Sequence, residues 1–206
     1  MPSLDRVKSV VNKILSIEGI GEHICFFGGI VPYLYHGKES NRDHSDIDVL
    51  VDTDYMDQIR ILLQDNNLYN PDLDSLNLDL DKDYGVKAFI NGVYVEFEPI
   101  TIDNNMFTRA SFSPEKELAG TEAIPFTNLE DVIIPFEVDG VKTRCESMEM
   151  LLLGKEQYKR EKDLQDIDFI KENGIDYDRY SRVQDSLENA NISVSSYERL
   201  RSKNSI

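Results

Sequence analysis

Apolar positions recur with two different periods in the first third of the chain, and these periods predict its helices and strands. An apolar spacing of three and four predicts helices over residues 5–17 and 54–66. Apolar runs predict strands at 24–27 and 46–52, and the first run leads through a glycine turn into a short helix at 30–35. The second run alternates acidic and apolar residues before it becomes wholly apolar, which is typical of a strand that enters a core. We therefore expect this part of the chain to mix helices with strands.

Two dipeptides in the middle of the chain are strong signals for β-hairpins. Asn91-Gly92 and Asp139-Gly140 each separate two apolar runs, and such residues supply the left-handed backbone that a tight hairpin turn requires. Residues 101–130 follow neither period, and we expect them to be irregular. The predicted strand pairs are 86–90 with 93–100 and 132–138 with 141–145.

From Ser147 onward the pattern is helical to the end of the chain. Ser147 is itself a suitable N-cap for the first of these helices. The predicted helices cover 147–159, 161–173, about 176–189 and about 195–203. The sequence thus predicts an α+β fold, in which a mixed β-sheet packed by helices spans residues 1–146 and a small helical region spans residues 147–206.

The composition is that of a globular domain in a reducing compartment. With 206 residues, 40% of them hydrophobic and 30% charged, the chain has the size of one domain and enough apolar residues for a core. It has no apolar run near the roughly 20 residues that cross a bilayer, and its first residues do not resemble a signal peptide. Cys25 and Cys145 make neither a disulfide framework nor a zinc site, so we expect a cytoplasmic protein without membrane attachment.

The charge is strongly acidic and unevenly distributed. The chain carries 39 acidic and 22 basic residues, which gives a formal net charge of −17. This balance argues against extended nucleic-acid binding, which needs clustered Lys and Arg. Residues 43–103 alone hold 15 acidic residues and three basic ones. Most of this segment is expected to be solvated surface, but it would also attract a cationic substrate or a divalent metal.

Asp46 and Asp48 are the most informative pair of acids. Alternate side chains of a strand share a face, so we expect both carboxylates to point the same way while Ile47 and Val49 face the opposite layer. Two carboxylates roughly 7 Å apart repel each other unless a cation lies between them. Mg²⁺ is the natural candidate because it prefers hard oxygen ligands. Without a cation, the pair is the solvated edge of a strand.

Further segments favour a phosphate and metal site over a solvated edge. Gly28-Gly29 follows a predicted strand and opens a predicted helix, where glycine lets backbone amides approach an anion. Glu96 and Glu98 share one face of another alternating strand, and either could complete a group of three carboxylates with the aspartates. The residues that immediately precede the aspartates and could contact a triphosphate are Arg42, His44 and Ser45.

Four short segments together carry a family resemblance. They are Phe27-Gly28-Gly29, Arg42-Asp43-His44-Ser45-Asp46-Ile47-Asp48-Val49, Val95-Glu96-Phe97-Glu98-Pro99 and the stretch 153–167. The combination resembles the polymerase-β-type nucleotidyltransferase superfamily, in particular the small aminoglycoside and lincosamide nucleotidyltransferases and the AbiEii-like toxin proteins. The resemblance extends over residues 22–172 and implies a nucleotidyltransferase-like fold.

The resemblance implies an enzyme that transfers a nucleoside monophosphate from a nucleoside triphosphate, such as ATP, to a hydroxyl group of an acceptor. Asp46, Asp48 and Glu96 would be the catalytic carboxylates and the ligands of two Mg²⁺ ions, with Glu98 as the alternative third acid. Glu96 would also assist deprotonation of the acceptor hydroxyl. The residues implied in binding the nucleotide are Gly28, Gly29, Arg42, Ser45 and Lys155.

The acceptor is expected to be a small molecule, and the acidic surface suits a cationic one such as an aminoglycoside or a lincosamide. One alternative is a nucleotidyltransferase that acts on a macromolecule, either as a toxin or on tRNA, although the lack of a basic tail argues against tRNA. Another is a non-catalytic nucleotide-binding module, against which the facing aspartates argue. A metal-dependent phosphohydrolase would instead hydrolyse the triphosphate without any acceptor. The sequence is compatible with an oligomer.

Overall fold

Six helices and nine strands form in the part of the chain that the structure describes. The structure is a computed structural model, and it describes residues 4–38, 44, 46–78, 80–113, 118–189 and 194–199. The helices are α1 (Leu4–Leu15), α2 (Val31–His36), α3 (Met56–Asp65), α4 (Met148–Tyr158), α5 (Glu161–Asn173) and α6 (Tyr177–Asn189). The strands are β1 (Ile24–Phe27), β2 (Asp46–Asp52), β3 (Val86–Ile90), β4 (Val93–Asp103), β5 (Met106–Ser113), β6 (Leu118–Pro125), β7 (Ile133–Val138), β8 (Val141–Glu146) and β9 (Val194–Arg199).

All nine of these strands belong to one mixed sheet. The strand order is β7-β8-β1-β2-β4-β5-β6-β9, and β3 also pairs with β4. β1 runs parallel to β8 and β2 runs parallel to β4, whereas the other pairs are antiparallel. The predicted α+β class, with a mixed sheet packed by helices, is confirmed. Both predicted hairpins are also confirmed, with turns at Asn91-Gly92 and Asp139-Gly140 that adopt positive φ.

Along the edge that faces away from β2, β4 pairs with two strands in succession. Its first part pairs with β3 up to Phe97, and its last part pairs with β5 from Ile100 onward. Pro99 stands between the two parts and has no N–H to donate to a neighbouring strand. Where β3 and β5 diverge, they leave a cleft of about 420 Å³, which we call the β3–β5 cleft. It is lined by Lys87, Glu96, Glu98, Ser111, Phe112, Ser113 and Leu118.

Two apolar clusters form the main core, and each takes residues from one face of the central strands. Val49 and Val95 belong to a cluster that includes residues of α1 through α5. Leu50 belongs to a second cluster, which includes Met150 of α4 and Val183 of α6. The C-terminal helices therefore pack on the same sheet as the rest of the chain, and the division at residue 146 stays a prediction. None of the helices in the described ranges combines the length and the apolar character that crossing a membrane requires.

The prediction that residues 101–130 are irregular is wrong. β4 continues to Asp103, and β5 and β6 follow as an antiparallel pair. Asn104 and Asn105 form the turn between β4 and β5 with φ of 49° and 59°, a conformation that asparagine tolerates. Polar residues such as Thr108 and Arg109 occupy half-buried positions on β5, which hides the alternation that would have revealed the strand.

The predicted helix over about 195–203 is also wrong. Val194–Arg199 is strand β9, which pairs antiparallel with β6 over Leu118–Ala123. Without β9, β6 would be an edge strand with unpaired N–H and C=O groups. Pairing of these groups outweighs the weak helical spacing of the segment. The other three C-terminal helices lie where they were predicted.

Candidate active site

β2 and β4 carry the acids around which the site is built. Ile47 and Val49 are fully buried in the core, whereas Asp46 is exposed and Asp48 is half-buried on the opposite face. Across the parallel pair of strands, Asp48 lies opposite Glu96. The predicted common face of the two aspartates is therefore confirmed, and so is the neighbouring strand that brings a further acid to them.

Gly28 brings the end of β1 against Asp48. Phe27 lies opposite Asp48 in the β1–β2 pair, and Gly28 follows with φ of +76°. A Cβ atom at Gly28 would lie 2.4 Å from Asp48 Oδ2, so only glycine fits this position. Gly28 and Gly29 form a tight 3₁₀ turn that leads into α2, as the sequence predicts. The Gly28 N–H donates to Glu146 Oε2 at 3.2 Å.

The glycine turn, the acids and the C-terminal helices enclose a cleft of about 420 Å³, which we call the main cleft. Its apolar lining includes Phe27, Ile124 and Met150. Its charged lining, counted within the described ranges, consists of six carboxylates and four cationic side chains. These are Asp46, Asp48, Glu96, Glu98, Glu122, Glu146, Arg109, Lys155, Arg160 and Lys162. The carboxylates of this lining therefore lie along the sheet, whereas three of its four cationic side chains lie in the α4–α5 region.

The carboxyl group of Asp48, near the start of β2, has a raised pKa. Burial raises its pKa to about 7, and the nearby charges of Asp46 and Glu96 contribute to the same shift. Arg109 opposes the shift without cancelling it. The positive charges of the described residues therefore compensate the negative charge at this point only in part.

Glu98 and Glu146 lie deeper in the main cleft. Burial raises the pKa of Glu98 to about 8 although Arg109 opposes the shift, and Glu98 Oε2 accepts no hydrogen bond from the described residues. Burial also raises the pKa of Glu146 to about 8, against the opposing hydrogen bond from the Gly28 N–H. Both acids therefore favour the neutral form at neutral pH, unlike a typical exposed glutamate.

Arg109 on β5 reaches into this acidic end of the main cleft. Its Nε lies 2.8 Å from Glu122 Oε2, and its guanidinium stacks 4.7 Å from the centre of the Phe27 ring. A second nitrogen lies 3.7 Å from Glu98 Oε2. The sequence-based prediction missed Arg109, Glu122 and Glu146. Arg109 and Glu122 lie opposite each other on β5 and β6, so a correct prediction of these two strands would have revealed both residues.

Lys155 lies at the junction of α4 and α5. Its Nζ lies 2.6 Å from Asp166 Oδ2 and 3.4 Å from Asp163 Oδ1, and both aspartates are fully buried. The Tyr33 hydroxyl donates to Asp166 Oδ1 at 2.9 Å and so ties α2 to α5. Lys155 thus lines the main cleft, as the resemblance implies, and its ammonium group is fixed there by two carboxylates.

The segment that precedes β2 is described at His44 alone. His44 is 2% exposed, packs edge-on against the Tyr33 ring at 5.0 Å and lines the main cleft. Arg42 and Ser45, both predicted to bind the nucleotide, lie outside the described residues.

The donor set of the site fits a hard divalent cation, although its acids are not gathered around one point. Among the residues that the structure describes, no three His, Cys, Asp or Glu side chains are grouped closely enough to hold a metal ion. Glu96 Oε1 lies 2.9 Å from Lys87 Nζ. Carboxylate oxygens are nevertheless the ligands that Mg²⁺ prefers. Burial, together with the charges of Asp46 and Glu96, raises the pKa of Asp48, and a cation at this point would favour its ionised form.

Comparison with known proteins gives likenesses in structure and none in sequence. No protein-family model and no curated protein matches the sequence. The solution structure of the antibiotic-resistance factor ANT(2'')-Ia has a TM-score of 0.55 and 14% identity, covering 90% of this chain and 93% of that one. The lincosamide antibiotic adenylyltransferase LnuA, in a crystal structure with lincomycin bound, has a TM-score of 0.53 and 18% identity, covering 81% of this chain and 95% of that one.

A third likeness is to a nucleotidyltransferase-like protein. The antigenic nucleotidyltransferase-like protein from Paracoccidioides brasiliensis has a TM-score of 0.50 and 18% identity, covering 91% of this chain and 88% of that one. The three structures confirm the nucleotidyltransferase-like fold that the sequence motifs imply. At these identities, the property shared with them is the fold.

Proposed function

We propose that this protein transfers a nucleoside monophosphate from a nucleoside triphosphate to a hydroxyl group of a small-molecule acceptor. The observation that carries the proposal is the register of β2 and β4, which brings Asp48 opposite Glu96 with Asp46 two residues away on the same face. The acids face a cleft that also contains a glycine turn and a buried lysine. The nucleotidyltransferase-like fold supports the same activity.

The end of the main cleft between the glycine turn and α5 is the proposed place of the triphosphate. The tight turn at Gly28 and Gly29 is proposed to present backbone amides to the phosphate oxygens, which would replace Glu146 as the partner of the Gly28 N–H. Lys155 lines this end of the cleft and is proposed to donate to the phosphates through its ammonium group, although Asp163 and Asp166 compensate its charge. Arg42 and Ser45, in the segment before β2, are proposed to add further contacts to the phosphates.

Asp46, Asp48 and Glu96 are proposed to hold two Mg²⁺ ions together with the triphosphate. Bound Mg²⁺ would neutralise charge on the phosphates and lower the pKa of the acceptor hydroxyl. The position of Glu96 opposite Asp48 supports Glu96 as the third acid. Glu98 is the alternative, but it lies opposite Leu50 and its raised pKa makes it a weaker ligand at neutral pH.

The proposed reaction is a single displacement at the α-phosphorus. The acceptor hydroxyl oxygen forms a bond to the α-phosphorus while the bond from that phosphorus to the bridging oxygen breaks, and pyrophosphate leaves. Glu96 accepts the hydroxyl proton as the general base. This role requires that the acceptor hydroxyl binds within hydrogen-bond reach of the Glu96 carboxylate. The product is the acceptor esterified with a nucleoside monophosphate.

The acceptor is proposed to be a small cationic molecule of the aminoglycoside or lincosamide kind. The end of the main cleft that is lined by Glu98, Glu122 and Glu146 offers carboxyl oxygens to ammonium groups of such an acceptor, and a bound cation would favour the ionised forms of Glu98 and Glu146. A structure of ANT(2'')-Ia contains adenylyl-2''-tobramycin, and the structure of LnuA contains lincomycin. Both proteins therefore bind compounds of this kind in the same fold.

Acceptor-dependent release of pyrophosphate tests the proposal. The protein is incubated with Mg²⁺, each nucleoside triphosphate in turn and a panel of aminoglycosides and lincosamides. Pyrophosphate and an acceptor heavier by one nucleoside monophosphate are expected only when an acceptor is present. Asp48→Asn is expected to lose about 10²-fold or more of the rate, whereas the exposed-site control Asp72→Asn retains it. Release of inorganic phosphate without any acceptor would contradict the proposal and indicate a phosphohydrolase.

A further inference from the structure

Lys87 is a buried cation behind the acids of the site, and the proposed function gives it no role. It lies on β3 and is 8% exposed. In the antiparallel β3–β4 pair, Lys87 lies directly opposite Glu96, and its Nζ lies 2.9 Å from Glu96 Oε1. Its ammonium group also lies 5.4 Å from the centre of the Phe112 ring. A buried ammonium of this kind is stable only because a carboxylate compensates its charge.

Glu96 stands in the wall between two clefts. It lines the main cleft together with Asp46 and Asp48, and it lines the β3–β5 cleft together with Lys87. Lys87 lines only the second of these clefts, so it reaches Glu96 from the side away from the aspartates. The Glu96 side chain remains 24% exposed, which leaves it room to change its orientation.

The ion pair has a consequence for the cation site. The β2–β4 register places Glu96 opposite Asp48, yet no three acids of the described residues are grouped closely enough to bind a metal. The Lys87 ammonium holds one oxygen of Glu96 on the β3 side of the wall. A glutamate is long enough to reach either side, since it has one more methylene group than an aspartate.

We propose that Lys87 is a positioning residue that competes with the divalent cation for the carboxylate of Glu96. Without a cation, Lys87 holds Glu96 on the β3 side. When a cation binds between Asp46 and Asp48, Glu96 exchanges its ion pair with Lys87 for the cation. This inference rests on the proposed function, because it takes Glu96 as the third acid of the cation site.

Binding of Mn²⁺ alone to the full chain tests the inference. Mn²⁺ takes carboxylate oxygens as Mg²⁺ does, and the EPR signal of the free ion reports its binding without any turnover. Lys87→Met removes the charge and keeps an unbranched apolar stem against Phe112. It is expected to bind Mn²⁺ roughly three- to tenfold more tightly than the wild type, and Lys87→Arg is expected to return towards the wild-type affinity.

Two comparisons separate this competition from a general change in charge. Lys162→Met removes one positive charge from the lining of the main cleft, where Lys162 acts on Asp48 through its charge. It is expected to give a clearly smaller gain than Lys87→Met. In the Glu96→Gln background, Lys87→Met is expected to give no gain, because the carboxylate for which both cations compete is missing. A gain that persists in this background would overturn the inference.

The outcomes also distinguish the inference from the proposed function. If Asp46→Asn/Asp48→Asn binds Mn²⁺ as well as the wild type, the proposed cation site is wrong and the inference falls with it. If the aspartate variant loses binding while Lys87→Met leaves the affinity unchanged, only the role of Lys87 is overturned. Thermal unfolding verifies that each variant is folded. Lys87→Gln, which is also uncharged, replaces Lys87→Met if the latter does not unfold cooperatively.

Discussion

Gly28 must be glycine for two reasons, its backbone conformation and the close approach of Asp48. Its φ of +76° is strained for any side chain, and a Cβ there would lie 2.4 Å from Asp48 Oδ2. Gly28→Ala is therefore expected to lower the free energy of unfolding by about 1–3 kcal/mol and to displace the Asp48 carboxylate. Urea unfolding measures the first effect, and calorimetric titration with a nucleoside triphosphate and Mg²⁺ measures the second.

Gly37 provides the matched control for this substitution. Its φ is +61°, but a Cβ there would meet nothing within 4 Å. Gly37→Ala is expected to cost about 1 kcal/mol of backbone strain and to leave nucleotide binding intact. Equal effects of the two substitutions on binding would contradict the role assigned to the contact between Gly28 and Asp48.

Glu146 makes the stability of the protein depend on pH. Burial raises its folded-state pKa to about 8, whereas its ordinary value is 4.5. The stability that this group contributes is therefore fully present below pH 4.5 and is lost as the pH rises towards 8. Between pH 5 and pH 8.5, the wild type is expected to lose roughly 3–4 kcal/mol more unfolding free energy than Glu146→Gln.

Urea unfolding over a range of pH measures this difference. Glu137→Gln, at an exposed position on β7, is the control and is expected to follow the wild-type profile. If Glu146→Gln also follows the wild-type profile, Glu146 is ionised in the folded protein and the assignment is wrong.

Among the elements, α4 depends on a single buried cap at its start. Ser147 is fully buried, its Oγ accepts from the Met150 N–H at 3.1 Å, and its hydroxyl donates to the Asp131 carbonyl at 2.7 Å. Ser147→Ala leaves both groups unpaired, so a loss of about 1–2 kcal/mol in unfolding free energy is expected. Thermal unfolding measures the loss. Asn128→Ala removes an exposed cap from one short turn and is expected to cost less. A larger loss from Asn128→Ala would contradict this account.

Elements were predictable from the sequence where one local signal was sufficient. The hairpin at Asn91-Gly92 and the helix that begins after Ser147 each depend on neighbouring residues, and both are confirmed. β9 depends instead on a partner distant in the sequence, and its own pattern is too weak to predict a strand. β5 pairs with its sequence neighbours β4 and β6, but half-buried polar residues hide its alternation. Long-range pairing therefore decides the structure of 194–199, whereas a weak alternation hides the strands within 101–130.

In the candidate site, too, some residues were predictable from a local pattern and others were not. The shared face of Asp46 and Asp48 follows from the period of a strand and needs no knowledge of the fold. Arg109 enters the main cleft from a strand that the sequence did not reveal. The ion pair of Lys87 with Glu96 follows from a hairpin that was predicted, but a pair of opposite charges across two strands does not by itself indicate a functional role.

The whole molecule separates charge across the main cleft. The carboxylates of the cleft come from β2, β4, β6 and β8, whereas three of the four cations within the described lining come from the α4–α5 region. On the helix side, Asp163 and Asp166 compensate part of the positive charge of Lys155 and Arg160. The proposed binding of a triphosphate to a chain with a net charge of −17 therefore depends on a divalent cation that neutralises the phosphates.

The most direct test of the central claim is the binding of each nucleoside triphosphate with Mg²⁺, measured by calorimetry. The account predicts that the wild type binds a nucleotide only when Mg²⁺ is present and that Asp46→Asn/Asp48→Asn loses this binding. Asp65→Asn/Asp72→Asn, which removes the same charge at two exposed positions, is predicted to bind as the wild type does. Failure of the wild type to bind any nucleotide at millimolar concentration, or unchanged binding by Asp46→Asn/Asp48→Asn, would contradict the account.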